Sequence, residues 1–542
     1  MCYTKSMESK DKNGIQRTET VTISREEYEA FLAQKRKIAV LEEQVQLLME
    51  RMRLTRKQQF GSSSEQSKYE ASPEQLNLFN EAEYFADETV PEPEMVAVEK
   101  HYRKKRAELK EQLPEDLPVE VIEHTLPEEE QICPQCGEHL HVMGKEVFKK
   151  LKIIPAQVIV EEHVCYTYSC RHCEQHDVNV PVLKAPVPEP VIKGSFATPE
   201  AVAHIMTQKF VMGSPLYRQE QELSRAGIPL SRQTMSNWVL RCSTDWLKPV
   251  YARLHEELLK HTSLHADETT LQVLHEDGKK AQTKSYMWLY RTSGDTQRPI
   301  VLYDYRPDRK AENAEAFLRG FSGYLHADGY SGYHRLPDNI TVVGCWAHAR
   351  RKFDEALNGL PEKDRTGSEA LTGKQYCDDL FKIEEAIKGE SAANRKEGRQ
   401  KQAQPVLDAF KAWLETSKAA PKSLTGKAVN YAREQWTYLI RYIEDGRLEI
   451  SNNRAERSIK PFVIGRKNFL FANTPRGAEG SAVIYSIIET AKENWLDPYR
   501  YLGYILRTAP NLHLPDDPEQ LDKLLPWNAP AECRIPTRPA EA

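Results

Sequence analysis

Apolar residues recur every seven positions at Phe31, Ile38, Val45 and Met52, with Leu41 and Leu48 at the intermediate positions. That spacing, with charged flanks, predicts a helix over residues 24–60 carrying a coiled-coil seam. An amphipathic helix packed on its own domain has the same pattern, so self-association and internal packing are both readings of it. The polar residues 1–23 are expected to form a disordered tail. From 61 to 120, Ser, Glu, Pro and Lys dominate and apolar anchors are few, as in a linker. Within it, His101-Tyr-Arg-Lys-Lys-Arg106 reads either as a phosphate-contacting patch or as a solvated charge run.

Residues 121–185 carry β-rich stretches at 151–161 and 164–168. A Pro-rich link, Ala185-Pro-Val-Pro-Glu-Pro-Val191, leads into helices over 186–255. Thr198-Pro199-Glu200 is a helix start, with a cap followed by proline at the first helical position. Leu216–Ala226 predicts a helix ended by Gly227, and Arg232–Arg241 predicts another after the turn Ile228-Pro-Leu-Ser231. The pair resembles a helix-turn-helix with Arg232, Gln233, Ser236 and Asn237 available to DNA; a plain helical hairpin is the alternative.

Next the period changes. Alternation predicts strands at 263–273, 285–292 and 299–305, a helix at 311–319, strands at 324–327 and 340–346, and a helix at 347–357. That order is the order of the RNase H-like fold. Residues 360–445 are polar and helical without strand signals and read as an insertion. The core, begun over 256–359, resumes over 446–494 with mixed structure, and 495–542 form a small C-terminal segment. The predicted fold is multidomain α+β: an RNase H-like mixed-sheet core with an all-helical insertion, preceded by a coiled coil, a zinc ribbon and a helix-turn-helix-like segment.

A net charge of −5 argues against a chain coated in nucleic acid, although basic segments are local. No apolar run reaches the roughly 18 residues of a membrane span. The polar start lacks an apolar signal core, so no membrane partner and a cytoplasmic location are expected. Two CxxC pairs, Cys133-Pro-Gln-Cys136 and Cys170-Arg-His-Cys173, stand 33 residues apart. Each such turn presents two thiolates on one side, and zinc takes four in a tetrahedron. The four cysteines are therefore expected to hold one structural zinc ion rather than form disulfides.

Carboxylates carry the remaining chemistry. Asp267 lies in the first core strand in His265-Ala-Asp267, and Asp328 ends the fourth in His326-Ala-Asp328. An acid in an apolar strand is costly without something bound to it, and two on neighbouring strands point to a shared cation. Glu456 is the candidate third carboxylate. Its spacing from Asn453 also fits a capping box, so a helix-capping role is its alternative. Nearby Arg454, Arg457 and Lys460 favour a phosphate-facing surface. Glu268, on the opposite strand face, is a weaker rival to Asp267. Magnesium or manganese suits such oxygen ligands, and two ions would activate the attacking oxygen and stabilise the leaving one.

The chain resembles the insertion-sequence-66 family of bacterial DDE transposases along nearly its whole length. The matching pieces are the zipper-like start, Gln59-Phe-Gly-Ser-Ser-Ser-Glu65, the zinc ribbon and His265-Ala-Asp267-Glu-Thr. They continue through Ala327-Asp328-Gly-Tyr, Cys345-Trp-Ala-His348-Ala-Arg-Arg-Lys-Phe353, Asn452-Asn-Arg-Ala-Glu456-Arg and Gly465-Arg-Lys-Asn-Phe-Leu-Phe471. Leu496-Asp-Pro-Tyr499 and Leu524-Leu-Pro-Trp527 close the series. Ser451 departs from the pattern, where an acidic residue is expected. The resemblance implies that Asp267, Asp328 and Glu456 form the catalytic triad. It implies double-stranded DNA as partner, both element ends and target, acted on by a homodimer or higher oligomer with helper proteins of the same element. Cys345 and His348 are expected to support the active site or DNA without a metal. Arg350, Arg351, Asn453, Arg457, Lys460, Arg466 and Lys467 are expected to line the substrate or support the site. Two rival readings are a catalytically silent DNA-binding regulator of the element and a nuclease unrelated to mobile elements. The intact triad argues against the first, and the accessory domains argue against the second.

Overall fold

The computed structural model describes residues 3–10, 16–60, 158–169, 182–512 and 519–535. The chain divides into two compact units, one of residues 1–62 with 187–542 and one of 63–186.

Strands β1 (Tyr3–Lys10) and β2 (Gln16–Ile23) pair antiparallel. Residues 3–10 and 16–23 of the expected disordered tail are thus paired strands: Thr18, Thr20, Val21, Thr22 and Ile23 are β-branched and favour extended backbone. Helix α1 (Arg25–Phe60) follows as one continuous helix, capped by Ser24, whose hydroxyl accepts from Glu27 N while Glu27 Oε2 accepts from Ser24 N. In the smaller unit, β3 (Thr167–Ser169) pairs antiparallel with β4 (Val182–Lys184). All four zinc-ribbon cysteines and the 61–120 segment lie outside the described residues.

Helices α2 (Pro199–Phe210), α3 (Leu216–Arg225), α4 (Arg232–Cys242) and α5 (Lys248–Leu258) come next. Their starts match the sequence signals, with Thr198 and Ser231 hydroxyls capping α2 and α4. Gly227 turns the chain between α3 and α4 at φ +79°, a conformation that favours glycine.

The central sheet has five strands: β5 (Ser263–Gln272), β6 (Lys284–Thr292), β7 (Val301–Arg306), then, after helix α6 (Ala311–Phe317), β8 (Gly323–His326) and β9 (Ile340–Val343). Its order is β7-β6-β5-β8-β9. The first three strands run antiparallel, and β8 and β9 run parallel to β5. Helix α7 (Trp346–Gly359) leads into α8 (Glu369–Ala386), α9 (Ala392–Gly398), α10 (Gln404–Thr416) and α11 (Leu424–Glu434). These pack their own core around Trp346, Phe353, Leu380, Phe410 and Tyr442, the expected helical insertion. The chain returns with α12 (Asn453–Phe469), α13 (Pro475–Glu493) and α14 (Pro498–Thr508). Helix α13 covers the β7 edge: Ser486 Oγ accepts from Tyr303 N at 2.7 Å, and Thr490 Oγ1 accepts from Val301 N at 3.0 Å. An exposed row of strand amides is thereby satisfied.

Two expectations are corrected. The strand predicted over 340–346 ends at Val343, because Gly344 leaves the sheet to donate to Tyr438 O. Trp346, Ala349 and Phe353 are apolar because they form the buried face of α7. Residues 452–494 are two helices rather than mixed structure; only Ala472 bridges to the sheet, at Val273. Residues 186–255 and 495–535 both contribute to the main core. Met206, Met235, Trp238, Leu506 and Leu524 are buried in one core with Leu264, Leu289 and Ile484, so apolar faces that no short segment can bury alone meet around the sheet.

Candidate active site

Strands β5 and β8 pair parallel with His265 opposite His326. Asp267 lies two residues further along β5, on the strand face of His265, and Asp328 lies two residues beyond His326, just past the end of β8. Helix α12 lies along β5 on that face: Arg466 bonds Thr269 Oγ1 and Thr270, and Arg291 of β6 reaches Ser458. Glu456 stands one turn into α12. Burial first, then the charges of Glu268, Asp328 and Glu456, holds the Asp267 carboxyl well above its usual range. Carboxylates that raise one another in this way are oxygen donors of the kind a divalent cation takes.

Glu456 is held by the start of α7. Arg351 Nη2 lies 3.2 Å from its Oε2, and His348 Nδ1 lies 3.6 Å from its Oε1. Cys345, His348 and Glu456 each offer a ligand atom within 4.8 Å of the other two. The Cys345 Sγ accepts from Asn452 N at 3.1 Å, and burial, then Glu456, pushes its thiol up to about 12. The residue at the helix cap is Asn452, one before the residue a capping box would use, and its side chain makes no capping bond. That amide instead donates to Ala266 O at 2.8 Å and contacts His265 Nδ1 at 2.9 Å.

Glu268 is engaged elsewhere. Tyr333 Oη donates to it at 2.6 Å and the Arg309 guanidinium pairs with it. The same Arg309 stands 4.0 Å from Asp328 Oδ2. Sequence reasoning missed Arg309 and Tyr333, which no motif marks. It also passed over Glu449 and Asn452, and it noted the His-Ala-Asp echo without assigning the histidines. That repetition was the one readable signal.

A model of the "Transposase IS66 family" matches residues 194–480, across the sheet, the insertion and all three carboxylates. The chain belongs to this family of transposases. Three further models match: "zinc-finger binding domain of transposase IS66" over 130–174, "Transposase C of IS166 homeodomain" over 47–122 and "IS66 C-terminal element" over 486–527. The first of these spans all four paired cysteines, and the second crosses the segment read as a linker. Among similar proteins of Sinorhizobium fredii, uncharacterized protein y4jD is 34% identical over 78% of this chain and 82% of its own length. Uncharacterized protein y4qI is 30% identical over 88% of each chain, and y4hP is 31% identical over 73% of each. Family membership carries a transposase role, divalent-metal use and a zinc-binding domain. Among the described residues, no helix is long and apolar enough to cross a membrane.

The other predicted residues of the transposase divide by place. Arg351 and His348 meet Glu456. Arg350 pairs with Asp378 of the neighbouring helix α8. Arg466 is likewise committed to the β5 backbone. Asn453 begins α12 three residues before Glu456, Arg457 and Lys460 are exposed in its next turn, and Lys467 is exposed near its end. Arg232 and Gln233 are exposed at the start of α4, where Arg232 lies 3.8 Å from Glu220.

Proposed function

We propose that this transposase binds the terminal inverted repeats of its insertion sequence and catalyses metal-dependent strand cleavage followed by strand transfer, in the bacterial cytoplasm. The observation that supports the reading most is the parallel β5–β8 pairing of His265 with His326, each followed two residues later by an aspartate, with Glu456 near the start of a helix that packs along β5. The sheet order, with its antiparallel first three strands and parallel last two, supports an RNase H-like core. Asp267, Asp328 and Glu456 are the ligands for magnesium or manganese, two ions per site. Bound there, such ions lower the pKa of a water or 3′-hydroxyl nucleophile and offset charge on the leaving oxygen.

The protein's own residues do the rest. Arg351 fixes the direction of the Glu456 carboxylate, His348 stands 3.6 Å from its other oxygen, and Arg309 keeps Glu268 out of the ligand set. Exposed Arg457, Lys460 and Lys467 line one helix in position to meet phosphates. Arg232 and Gln233 open the helix that reads the DNA ends. One zinc ion at Cys133, Cys136, Cys170 and Cys173 orders the ribbon. Phe31, Ile38, Leu41, Val45, Leu48 and Met52 remain exposed along α1, which supports pairing of two subunits through this seam. Helper proteins of the element complete the assembly.

Purified protein with labelled terminal-repeat DNA tests the reading. Nicking at the element end is expected in magnesium or manganese, absent in Asp267→Asn and Asp328→Asn. Tight end-binding without cleavage by the unaltered protein would instead favour a silent regulator. Indiscriminate nicking of DNA without repeats would favour an unrelated nuclease.

A further inference from the structure

Each of the two aspartates is preceded, two residues earlier, by a histidine that is essentially without solvent exposure. The His265 and His326 rings stack across the β5–β8 pair with centroids 4.3 Å apart and planes 12° from parallel. Both imidazoles grip the same segment, the four residues before α12. Asn452 Nδ2 donates to Ala266 O, so its Oδ1 is the acceptor for His265 Nδ1–H at 2.9 Å. His326 Nε2 accepts from Glu449 N at 3.4 Å. The Glu449 carboxylate lies 3.6 Å from His265 Nε2 and 2.8 Å from Arg454 Nε, and it accepts from Gly294 N at 3.0 Å.

Burying two imidazoles in a stack costs solvation, and two of their ring nitrogens, His265 Nε2 and His326 Nδ1, have no hydrogen-bond partner. An apolar pair would fill the space more favourably. What the imidazoles add is direction: they tie the approach to α12, and so the angle from which Glu456 enters, to the two strands that carry Asp267 and Asp328.

We infer that His265 and His326, acting through Asn452 and Glu449, are positioning residues that set Glu456 against the two aspartates for metal binding. The inference rests on the metal-site reading above. Groups that orient ligands in this way are worth about 10–100-fold in metal affinity or activity when removed.

The test compares His265→Asn with His265→Gln in the full chain. An asparagine amide falls where Nδ1 stands and can still meet Asn452, whereas a glutamine amide falls one bond too far. Both are polar and close in size, so a general loss of packing would affect them alike. Manganese binding is read by electron paramagnetic resonance of the free ion, with Asp267→Asn as reference and the unfolding midpoint measured in parallel. The expected result is about tenfold weaker binding in His265→Gln, with His265→Asn within about threefold of the unaltered protein. On terminal-repeat DNA, kcat should follow manganese affinity while KM stays unchanged. Equal manganese affinity in the two variants would overturn the inference. Unchanged binding in Asp267→Asn would remove the metal-site reading itself, and the inference with it.

Discussion

Arg399 is the most heavily bonded side chain of the helical insertion and has no solvent exposure. Its Nε and Nη2 grip the Glu384 carboxylate, both at 2.7 Å. Nη1 donates to Tyr442 O at 2.7 Å and Asp445 O at 2.8 Å, and Nη2 donates to Leu448 O at 2.8 Å. Those carbonyls belong to the segment that runs directly into Glu449 and Asn452. Substituting Arg399→Met keeps most of the volume but strands the three carbonyls and most of the Glu384 charge. Breaking one side of a buried, hydrogen-bonded pair costs about 3–5 kcal/mol. Urea unfolding followed by tryptophan fluorescence reads the effect, since Trp346, Trp413 and Trp436 pack in or against this core. The double variant Arg399→Met with Glu384→Gln should recover part of the loss, because no buried charge is then left unpaired. Arg447→Met, which breaks a more exposed pair with Asp445, is the control and should cost at most about 1 kcal/mol. A loss below about 1 kcal/mol for Arg399→Met would refute the claim that this arginine fastens the approach to Glu456.

Asp267→Asn should stabilise the protein in buffer without divalent ions, by about 1–2 kcal/mol near pH 8, because active-site charge is retained at the expense of stability. The sign follows from its raised carboxyl: above about pH 4 the unfolded chain gives up this proton while the folded one keeps it, so stability falls as pH rises towards the folded pKa. Urea midpoints at pH 5 and pH 8 should therefore diverge between the two proteins, and parallel midpoints would count against the crowding. Metal analysis should find one zinc per chain, lost in Cys133→Ser with Cys136→Ser, and an unchanged zinc content would place the ion elsewhere. Leu41→Ser with Leu48→Ser on the exposed seam of α1 should reduce self-association at least about tenfold by analytical ultracentrifugation, with no change in the folded core.

Much of the fold was legible because its signals are local. Thr198-Pro199, Gly227 and Ser231 placed helix boundaries, and alternation placed β5, β6 and β7 within two residues of where they lie. Legibility failed where a segment's apolar residues serve a distant partner. Leu524 and Leu525 read as a terminal fragment but fill the main core. Ile340–Trp346 read as one strand because the buried face of α7 continues the apolar run of β9. In the site, the aspartates showed as acids in apolar strands. Arg309 and Tyr333 did not show, because their partner Glu268 is 41 residues from one and 65 from the other. The pairing of Arg350 with Asp378, 28 residues on, did not show for the same reason.

Glu456 bears the central claim, because its position near a helix start gives it an ordinary alternative role. The most direct measurement is a mating-out transposition assay with the whole element, its helper genes and a marked donor, comparing the unaltered protein with a folded Glu456→Gln variant. The account predicts a fall of at least about a hundredfold, since losing a ligand should cost no less than the roughly 10–100-fold of losing a group that orients one. Equal transposition by the two would contradict it, leaving Glu456 a helix-start residue and placing the third carboxylate elsewhere.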